Sequence, residues 1–199
     1  HIGASFVVPD KSTPDDLAKE IAKHKVTVSF TAPTAYRAIL SKIDQYDLSS
    51  LRKCVSAGET LPKGTFDAWY KATGIKLMDG IGGTEMLHIF ICAIEDEIRP
   101  GSTGKPVPGY EAKIVDDNGN DVMPGTMGRL AVRGPTGCKY MADPRQTKYV
   151  QNGWNLTGDT FVMDEDGYFW YQSRSDDMIV SSGYNIAGPD VEGALLTHE

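Results

Sequence analysis

The chain has 199 residues, of which 40% are hydrophobic and 24% are charged, a composition that is typical of a globular protein and excludes disorder as the main state. Its 20 basic and 27 acidic residues give a net charge of -7. This balance argues against a nucleic-acid-binding protein, which needs Lys and Arg to neutralise phosphates. The longest apolar run, residues 89–94, is far shorter than the roughly 20 residues of a membrane-spanning helix. The three cysteines include no Cys-x-x-Cys pair, so they predict no disulfide framework or zinc site, and the expected compartment is the reduced cytoplasm.

The first part of the chain alternates between helix and strand patterns. Thr13 can cap a helix that begins with Pro14, and further helices are predicted to begin near Pro33 and Pro62. The strand-like segments between and after these helices are residues 26–30, 51–55, 75–78 and 88–93. Strands that alternate with helices of about ten residues favour an α/β fold with a parallel sheet. Residues 1–98 are therefore predicted to form part of such a sheet with flanking helices.

From residue 99 the pattern changes to short strands and turns with little helix. Asn118-Gly119 is typical of a two-residue hairpin turn, and residues 164–167 separate two further strand-like segments. Residues 99–172 are therefore predicted to form a small antiparallel β subdomain. Residues 173–199 contain a strand, a glycine-rich loop and a helix that begins near Pro189, which predicts the beginning of a truncated α+β domain.

Two glycine-containing segments follow predicted strands. They are residues 56–59 and residues 79–85. Ligands of parallel α/β sheets bind at the carboxyl ends of the strands, and glycine lets a ligand lie against the backbone. In the second segment Thr84 offers a hydroxyl to a phosphate and Glu85 offers a carboxylate to Mg²⁺. Taken alone, this segment is more often a simple glycine-rich turn.

Residues 79–85 are followed by three further segments that also have the character of motifs. They are Thr157-Gly158-Asp159, residues 173–179 and residues 181–184. In this order the segments resemble the Tyr-Gly-x-Thr-Glu loop, the Thr-Gly-Asp turn, the Gly-Arg-x-Asp-Asp hinge and the Ser-x-Gly-Tyr loop of the adenylate-forming acyl-CoA synthetase superfamily. The resemblance covers essentially the whole chain. The sequences of residues 79–90 and 183–192 are similar to the corresponding sequences of benzoate- and 2-aminobenzoate-CoA ligases.

The resemblance implies an enzyme that uses ATP and Mg²⁺ to convert an aryl carboxylate into an acyl adenylate and then transfers the acyl group to CoA. It implies an adenine slot formed by Ser56, Ala57, Gly58, Glu59, Asp79 and Ile81. It implies that Thr84 binds a phosphate and that Glu85 binds Mg²⁺. It implies that Asp159 and Arg174 hold the ribose. The acyl pocket would be lined by Ala32, Tyr36, Gly82 and His88. Gly183 and Tyr184 would contact CoA, and Asp176 would be the hinge.

The sequence departs from the superfamily pattern at two of these positions. Ile81 stands where most members have a stacking Tyr, and Ser173 stands where the hinge motif has Gly. The Ser/Thr/Gly-rich phosphate loop that ends in Lys and the C-terminal catalytic Lys are both expected outside residues 1–199. The chain is therefore predicted to be an internal fragment that forms no acyl adenylate by itself, since both parts stabilise developing negative charge.

Several alternatives remain open at this point. Core packing explains Phe30 and Tyr36 as well as an acyl pocket does, and a lone His beside an apolar run, such as His88, is more often a packed core residue. The parent protein could instead be an aryl adenylation domain that loads a carrier protein. A non-catalytic nucleotide-binding module is the third possibility, because this chain contains neither lysine. The oligomeric state and the aryl substituent do not follow from the sequence.

Overall fold

The computed structural model describes residues 3–174, 179–181, 184–186 and 188–196. The chain divides into two compact units, His1–Met78 and Asp79–Glu199. A mixed five-stranded sheet has the strand order β1-β2-β3-β4-β5, and the boundary between the units falls within β3, Leu77–Gly82. The predicted α/β class is confirmed.

The first unit contains helices α1 (Pro14–His24), α2 (Pro33–Leu40) and α3 (Lys63–Thr73) and strands β1 (Val28–Thr31) and β2 (Lys53–Ala57). Helix α1 begins as predicted, because the Thr13 side chain accepts a hydrogen bond from the Asp16 amide and satisfies one of the donors at the helix start. Strands β1 and β2 pair in parallel. The apolar faces of the helices supply buried residues, among them Ile21, Ile39 and Trp69.

In the second unit β3 pairs antiparallel with β4 (Ile89–Cys92), which pairs antiparallel with β5 (Lys105–Pro106). The sheet is therefore only partly parallel, whereas the sequence pattern predicted a parallel one. The reason is the connection between β3 and β4. Residues 83–88 are too few for a parallel crossover, which needs a dozen residues or more.

The predicted antiparallel β subdomain is confirmed. Strands β6 (Glu111–Val115), β7 (Met127–Arg133), β9 (Trp154–Met163) and β10 (Phe169–Arg174) form a sheet in the order β10-β9-β7-β6, and β8 (Val150–Gln151) pairs with β9. Helix α4, Arg145–Tyr149, precedes β8. The core of this unit includes Met86, Phe90, Leu130 and Phe161. The sheet therefore packs its apolar face against the hairpin that carries residues 79–92.

Two predicted turns differ from the structure. Asn118-Gly119 lies in a longer connection between β6 and β7, where the Asp116 carboxylate accepts hydrogen bonds from the amides of Asn118 and Asn120. Thr157-Gly158-Asp159 lies inside β9, at an irregularity in the pairing with β7, and not at a chain reversal. Gly158 has a φ of +82° there, a value that glycine adopts without strain.

The chain ends with an antiparallel pair, β11 (Ile179–Ser181) and β12 (Tyr184–Ile186), and with helix α5, Gly188–Leu196. On α5 the Leu195 side chain is 69% exposed. The domain boundaries at residues 98/99 and 172/173 stay predictions. None of the described helices is long and apolar enough to cross a bilayer.

Candidate functional site

The carboxylate predicted to bind Mg²⁺ lies on a short turn directly after β3. Residues Thr84–Met86 form one turn of 3-10 helix, in which Thr84 is exposed and Glu85 is half-buried. Glu85 Oε1 accepts a hydrogen bond from the Tyr140 hydroxyl at 2.6 Å. Its other oxygen, Oε2, lies on the side of Gly83, 3.5 Å from the position that a Cβ on that glycine would occupy. A Cβ on Gly83 would lie in van der Waals contact with Oε2, so the glycine leaves this side of the oxygen uncovered.

The turn at Thr84–Met86 is anchored on its buried side. Met86 is fully buried, and its carbonyl accepts a hydrogen bond from Thr136 Oγ1 at 2.8 Å, while the Tyr110 hydroxyl lies 2.6 Å from the same Thr136 oxygen. Leu87, 75% exposed, has a φ of +69°, which a branched residue adopts only under strain. Because Met86 is fixed in the core, the backbone reverses sharply at Leu87 and keeps Glu85 near the surface.

Two tyrosines that the sequence analysis did not identify lie beside Glu85. The Tyr140 ring meets the Tyr149 ring edge-on at 5.9 Å between centroids. Burial raises the pKa of Tyr149, and the negative charges of Glu85 and Asp159 raise it further. The structure therefore brings the predicted Mg²⁺ ligand and the predicted ribose ligand within electrostatic range of one tyrosine hydroxyl. No local pattern in the sequence marks these tyrosines, because Tyr140 is 55 residues from Glu85.

The two residues predicted to hold the ribose are neighbours. Asp159 on β9 lies opposite Arg174 on β10. The Arg174 guanidinium is 3.4 Å from the position that a Cβ on Gly158 would occupy, so it lies over the bare backbone of that glycine. An acceptor and a donor on adjacent strands can bind vicinal hydroxyls, which both donate and accept hydrogen bonds.

The residues predicted for the adenine slot in this unit lie in β3 and not in a loop after it. Asp79 is half-buried, but its Oδ1 is enclosed and has no hydrogen-bond partner among the described residues. Burial raises the pKa of Asp79 to about 7, and the amide of Gly80 opposes this shift. Ile81 packs against the core of the unit. Asp79 can therefore carry a proton near neutral pH, and Ile81 can present only an aliphatic surface.

The raised pKa of Asp79 predicts a pH dependence of stability. Because the folded protein binds this proton more tightly than the unfolded chain does, the contribution of Asp79 is fully present below about pH 4 and is lost as the pH rises through about 7. Asp79→Asn should remove this loss, so the urea midpoint of the variant should rise relative to the parent between pH 4.5 and pH 7.5. Asp117→Asn, which changes a fully exposed carboxyl, is the control. A constant difference between D79N and the parent over this range would contradict the assignment.

Gly82 and His88, predicted to line the acyl pocket, face each other across the β3–β4 hairpin. A Cβ on Gly82 would lie 2.6 Å from the His88 carbonyl oxygen, so glycine is required here for the hairpin whatever else it does. The His88 side chain is exposed, and this argues against the interpretation of His88 as a packed core residue. Its accessibility leaves a role in ligand binding open.

The remaining predicted residues lie in the first unit. Ser56 is fully buried at the end of β2, and its Oγ has no hydrogen-bond partner among the described residues. Ala57 is half-buried, whereas Gly58 and Glu59 are exposed, and Glu59 accepts a hydrogen bond from Thr34 Oγ1 at 3.2 Å. Exposed backbone at Gly58 is compatible with a ligand that lies against it.

Of the two residues predicted for the acyl pocket in the first unit, Ala32 is half-buried and Tyr36 is only 1% exposed. The Tyr36 hydroxyl lies 3.1 Å from the Ser29 carbonyl oxygen and 3.0 Å from that of Val55, and the ring packs against Trp69. These contacts support core packing as the role of Tyr36, because both the ring and the hydroxyl are already engaged within the unit.

The predicted hinge and CoA contacts lie at the end of the chain. Asp176 and Gly183 lie outside the described residues, and Tyr184 is the first residue of β12. Their roles stay predictions.

The residues around Glu85 fit a cation that arrives with a phosphate ligand. Among the described residues no group of three or more His, Cys, Asp or Glu side chains could hold a metal ion. Mg²⁺ in nucleotide sites uses one or two protein carboxylates and completes its shell with phosphate oxygens and water. A single accessible carboxylate at Glu85 meets that requirement.

The sheet and the β subdomain are those of adenylate-forming enzymes. The crystal structure of the anthranilate CoA ligase AuaEII in complex with anthranoyl-AMP matches 99% of the chain with a TM-score of 0.94 and 42% sequence identity, and the match covers 39% of that protein. The family model described as AMP-binding enzyme matches residues 1–140. The chain belongs to this family.

Curated relatives agree with this assignment and show how much of a family member the chain represents. The benzoate–CoA ligase of Thauera aromatica is 35% identical over the whole chain, which spans 39% of its length. The mitochondrial acyl-coenzyme A synthetase ACSM3 of Mus musculus is 40% identical over 92% of the chain, which spans 33% of its length. The chain therefore spans well under half of these relatives, and the predicted resemblance to the superfamily is confirmed.

Proposed function

We propose that this chain is part of an ATP-dependent aryl-CoA ligase. The observation that carries the proposal is that Glu85, Asp159 and Arg174 lie in one compact unit, where Asp159 pairs opposite Arg174 and the Tyr140 hydroxyl holds Glu85. A half-buried carboxylate suits a phosphate-bound Mg²⁺, and an acid next to a guanidinium suits a ribose. The resemblance to the superfamily implies these roles for them.

In this proposal the chain's residues divide between the nucleotide and the acid. Thr84, which is exposed, would donate a hydrogen bond to a phosphate, and Glu85 Oε2 would hold the Mg²⁺. A Mg²⁺ bound there would supply positive charge that neutralises the phosphates. Asp159 and Arg174 fix the ribose, so the α-phosphate is held at a constant distance from Thr84. His88 lies three residues beyond Glu85 and contacts the carboxylate substrate.

The proposed reaction has two steps. A carboxylate oxygen of the substrate attacks the α-phosphorus of ATP, and the bond to the bridging oxygen breaks to release pyrophosphate. The thiolate sulfur of CoA then attacks the acyl carbonyl carbon, and the bond from that carbon to the AMP oxygen breaks to release AMP. Holding both reactants in one site lowers the barrier by removing translational and rotational freedom in advance.

An aryl acid is the proposed substrate because of the similarity to the anthranilate and benzoate ligases. The test is a panel of benzoate, 2-aminobenzoate and straight-chain acids with ATP and CoA, applied to the full-length product of the gene that encodes this chain. We expect an aryl-CoA thioester and AMP. Preference for straight-chain acids would contradict the aryl assignment, and acyl-AMP formed without transfer to CoA would favour the carrier-loading alternative.

Loss of the Asp159 carboxylate should weaken nucleotide binding. The chain should bind AMP with a dissociation constant on the order of 1 mM, equivalent to about -4 kcal/mol, and Asp159→Ala should weaken this binding at least several-fold because a ribose hydroxyl loses its acceptor. Titration calorimetry measures the difference. Asp166→Asn, which changes an exposed acid in the β9–β10 turn, should bind AMP as the parent does. Equal affinities of D159A and the parent would contradict the ribose role.

A further inference from the structure

The Tyr140 hydroxyl makes a direct contact with the carboxylate of Glu85 that neither the sequence motifs nor the proposed reaction uses. The donor and acceptor are 2.6 Å apart, the distance of a strong hydrogen bond to a charged oxygen. The Tyr140 hydroxyl donates to Oε1, and the other oxygen of Glu85, Oε2, lies on the side of Gly83. A carboxylate held in this way has one oxygen fixed by the protein and one that this hydrogen bond leaves available.

Tyr140 is itself held from several directions. Its amide donates to Gln146 Oε1 at 2.8 Å, the Arg145 guanidinium lies 4.7 Å from the centre of its ring, and the Tyr149 ring meets its edge. Arg145 is in turn bound by the Asp143 carboxylate. The hydroxyl therefore reaches Glu85 from a ring whose rotamer is fixed by its neighbours, which is the condition for a supporting residue to orient a ligand group.

We infer that Tyr140 is a positioning residue for Glu85, which orients the carboxylate so that Oε2 can bind the cation that accompanies ATP. The inference rests on the proposed function. It assigns Tyr140 no contact with the nucleotide, and its effect should reach only the affinity for the metal-bound nucleotide. Partners that hold a ligating carboxylate typically change metal affinity by about 10-fold to 100-fold when they are removed.

The test compares two titrations on the full-length protein, one with Mg²⁺·ATP and one with ATP in the presence of EDTA, both by calorimetry. Tyr140→Phe removes the hydroxyl and keeps the ring. We expect it to weaken the binding of Mg²⁺·ATP by about 10-fold and to leave the binding of metal-free ATP unchanged. A loss that affected both forms equally would indicate a merely structural role and would overturn the inference.

Two further variants complete the design. Tyr168→Phe removes a hydroxyl that donates to the Glu97 carbonyl at 3.0 Å, and it should bind both forms of ATP as the parent does. Gln146→Ala releases the Tyr140 amide but keeps the hydroxyl, and it should weaken Mg²⁺·ATP binding by less than Tyr140→Phe does. If Y140F bound Mg²⁺·ATP as tightly as Y168F, or more tightly than the parent, the positioning role would be wrong. A parent that bound both forms of ATP equally would overturn the Mg²⁺ role of Glu85, and with it this inference.

Discussion

Gly104→Ala should lower the free energy of unfolding by about 2–5 kcal/mol. Gly104 has a φ of +114°, and a Cβ there would lie 2.3 Å from the Cys92 carbonyl carbon and 2.4 Å from the Ala93 nitrogen. The strain of the positive φ accounts for about 1–2 kcal/mol of the loss. The forced separation of two backbones accounts for about 1–3 kcal/mol more, because no flexible side chain can move aside.

The position of Gly104 explains why its neighbours cannot yield. The Phe169 amide donates to the Gly104 carbonyl at 2.8 Å, and the Thr103 amide donates to the Phe169 carbonyl at 2.9 Å. Gly104 is therefore pressed against β4 on one side and hydrogen-bonded to β10 on the other. A shift away from Cys92 would break the pairing with Phe169, which is almost fully buried.

Urea denaturation of the parent and of two variants measures this effect. Gly119→Ala is the matched control, because Gly119 also has a positive φ, +84°, but a Cβ there would meet no atom within 4 Å. Its free energy of unfolding should fall by only about 1 kcal/mol, the cost of placing Ala at a positive φ. If both variants had the same urea midpoint, steric contact at Gly104 would not be the cause of its requirement for glycine.

The local elements of this fold could be predicted from the sequence because their signals are local. The Thr13 cap and Pro14 at the start of α1 satisfy the helix donors without help from the rest of the chain. The pairing of β3 with β4 was not predicted. The apolar runs indicated two strands, but their direction depends on the short connection at residues 83–88, where a strained Leu87 and a buried Met86 reverse the chain.

The residues of the candidate site also divide into those that a local sequence pattern predicts and those that it does not. Thr84, Glu85 and Asp159 could be proposed because each lies in a short motif whose residues are adjacent in the sequence. Tyr140 and Tyr149 could not, because the Tyr140 hydroxyl reaches Glu85 from 55 residues along the chain and Tyr149 packs against Tyr140 from helix α4. A local motif can identify the groups proposed to touch a ligand. The residues that hold those groups in place can be distant in the sequence and become neighbours only in the folded protein.

Glu85→Gln should lower the rate of acyl adenylate formation by about 10²-fold to 10³-fold in the full-length enzyme. The substitution keeps an oxygen that can accept the hydrogen bond now made by Tyr140 to Oε1 at 2.6 Å, so the turn and the loop should keep their structure. It removes the negative charge, and an amide oxygen is a much weaker ligand for Mg²⁺ than a carboxylate. The expected magnitude follows from the effect of removing one group that stabilises charge in a transition state.

The exchange of labelled pyrophosphate into ATP, dependent on benzoate, measures this step without CoA. Because the variant keeps the hydrogen bond, its urea midpoint should stay within the range of the parent, and this separates a loss of charge from a loss of structure. Glu111→Gln is the control, since Glu111 is exposed and pairs with Arg133 on the surface of the β subdomain, and it should exchange pyrophosphate at the parent rate. If Glu85→Gln retained at least half of the parent rate at limiting Mg²⁺, Glu85 could not be the ligand of the cation, and the carboxylate would have only the structural role of accepting the Tyr140 hydroxyl.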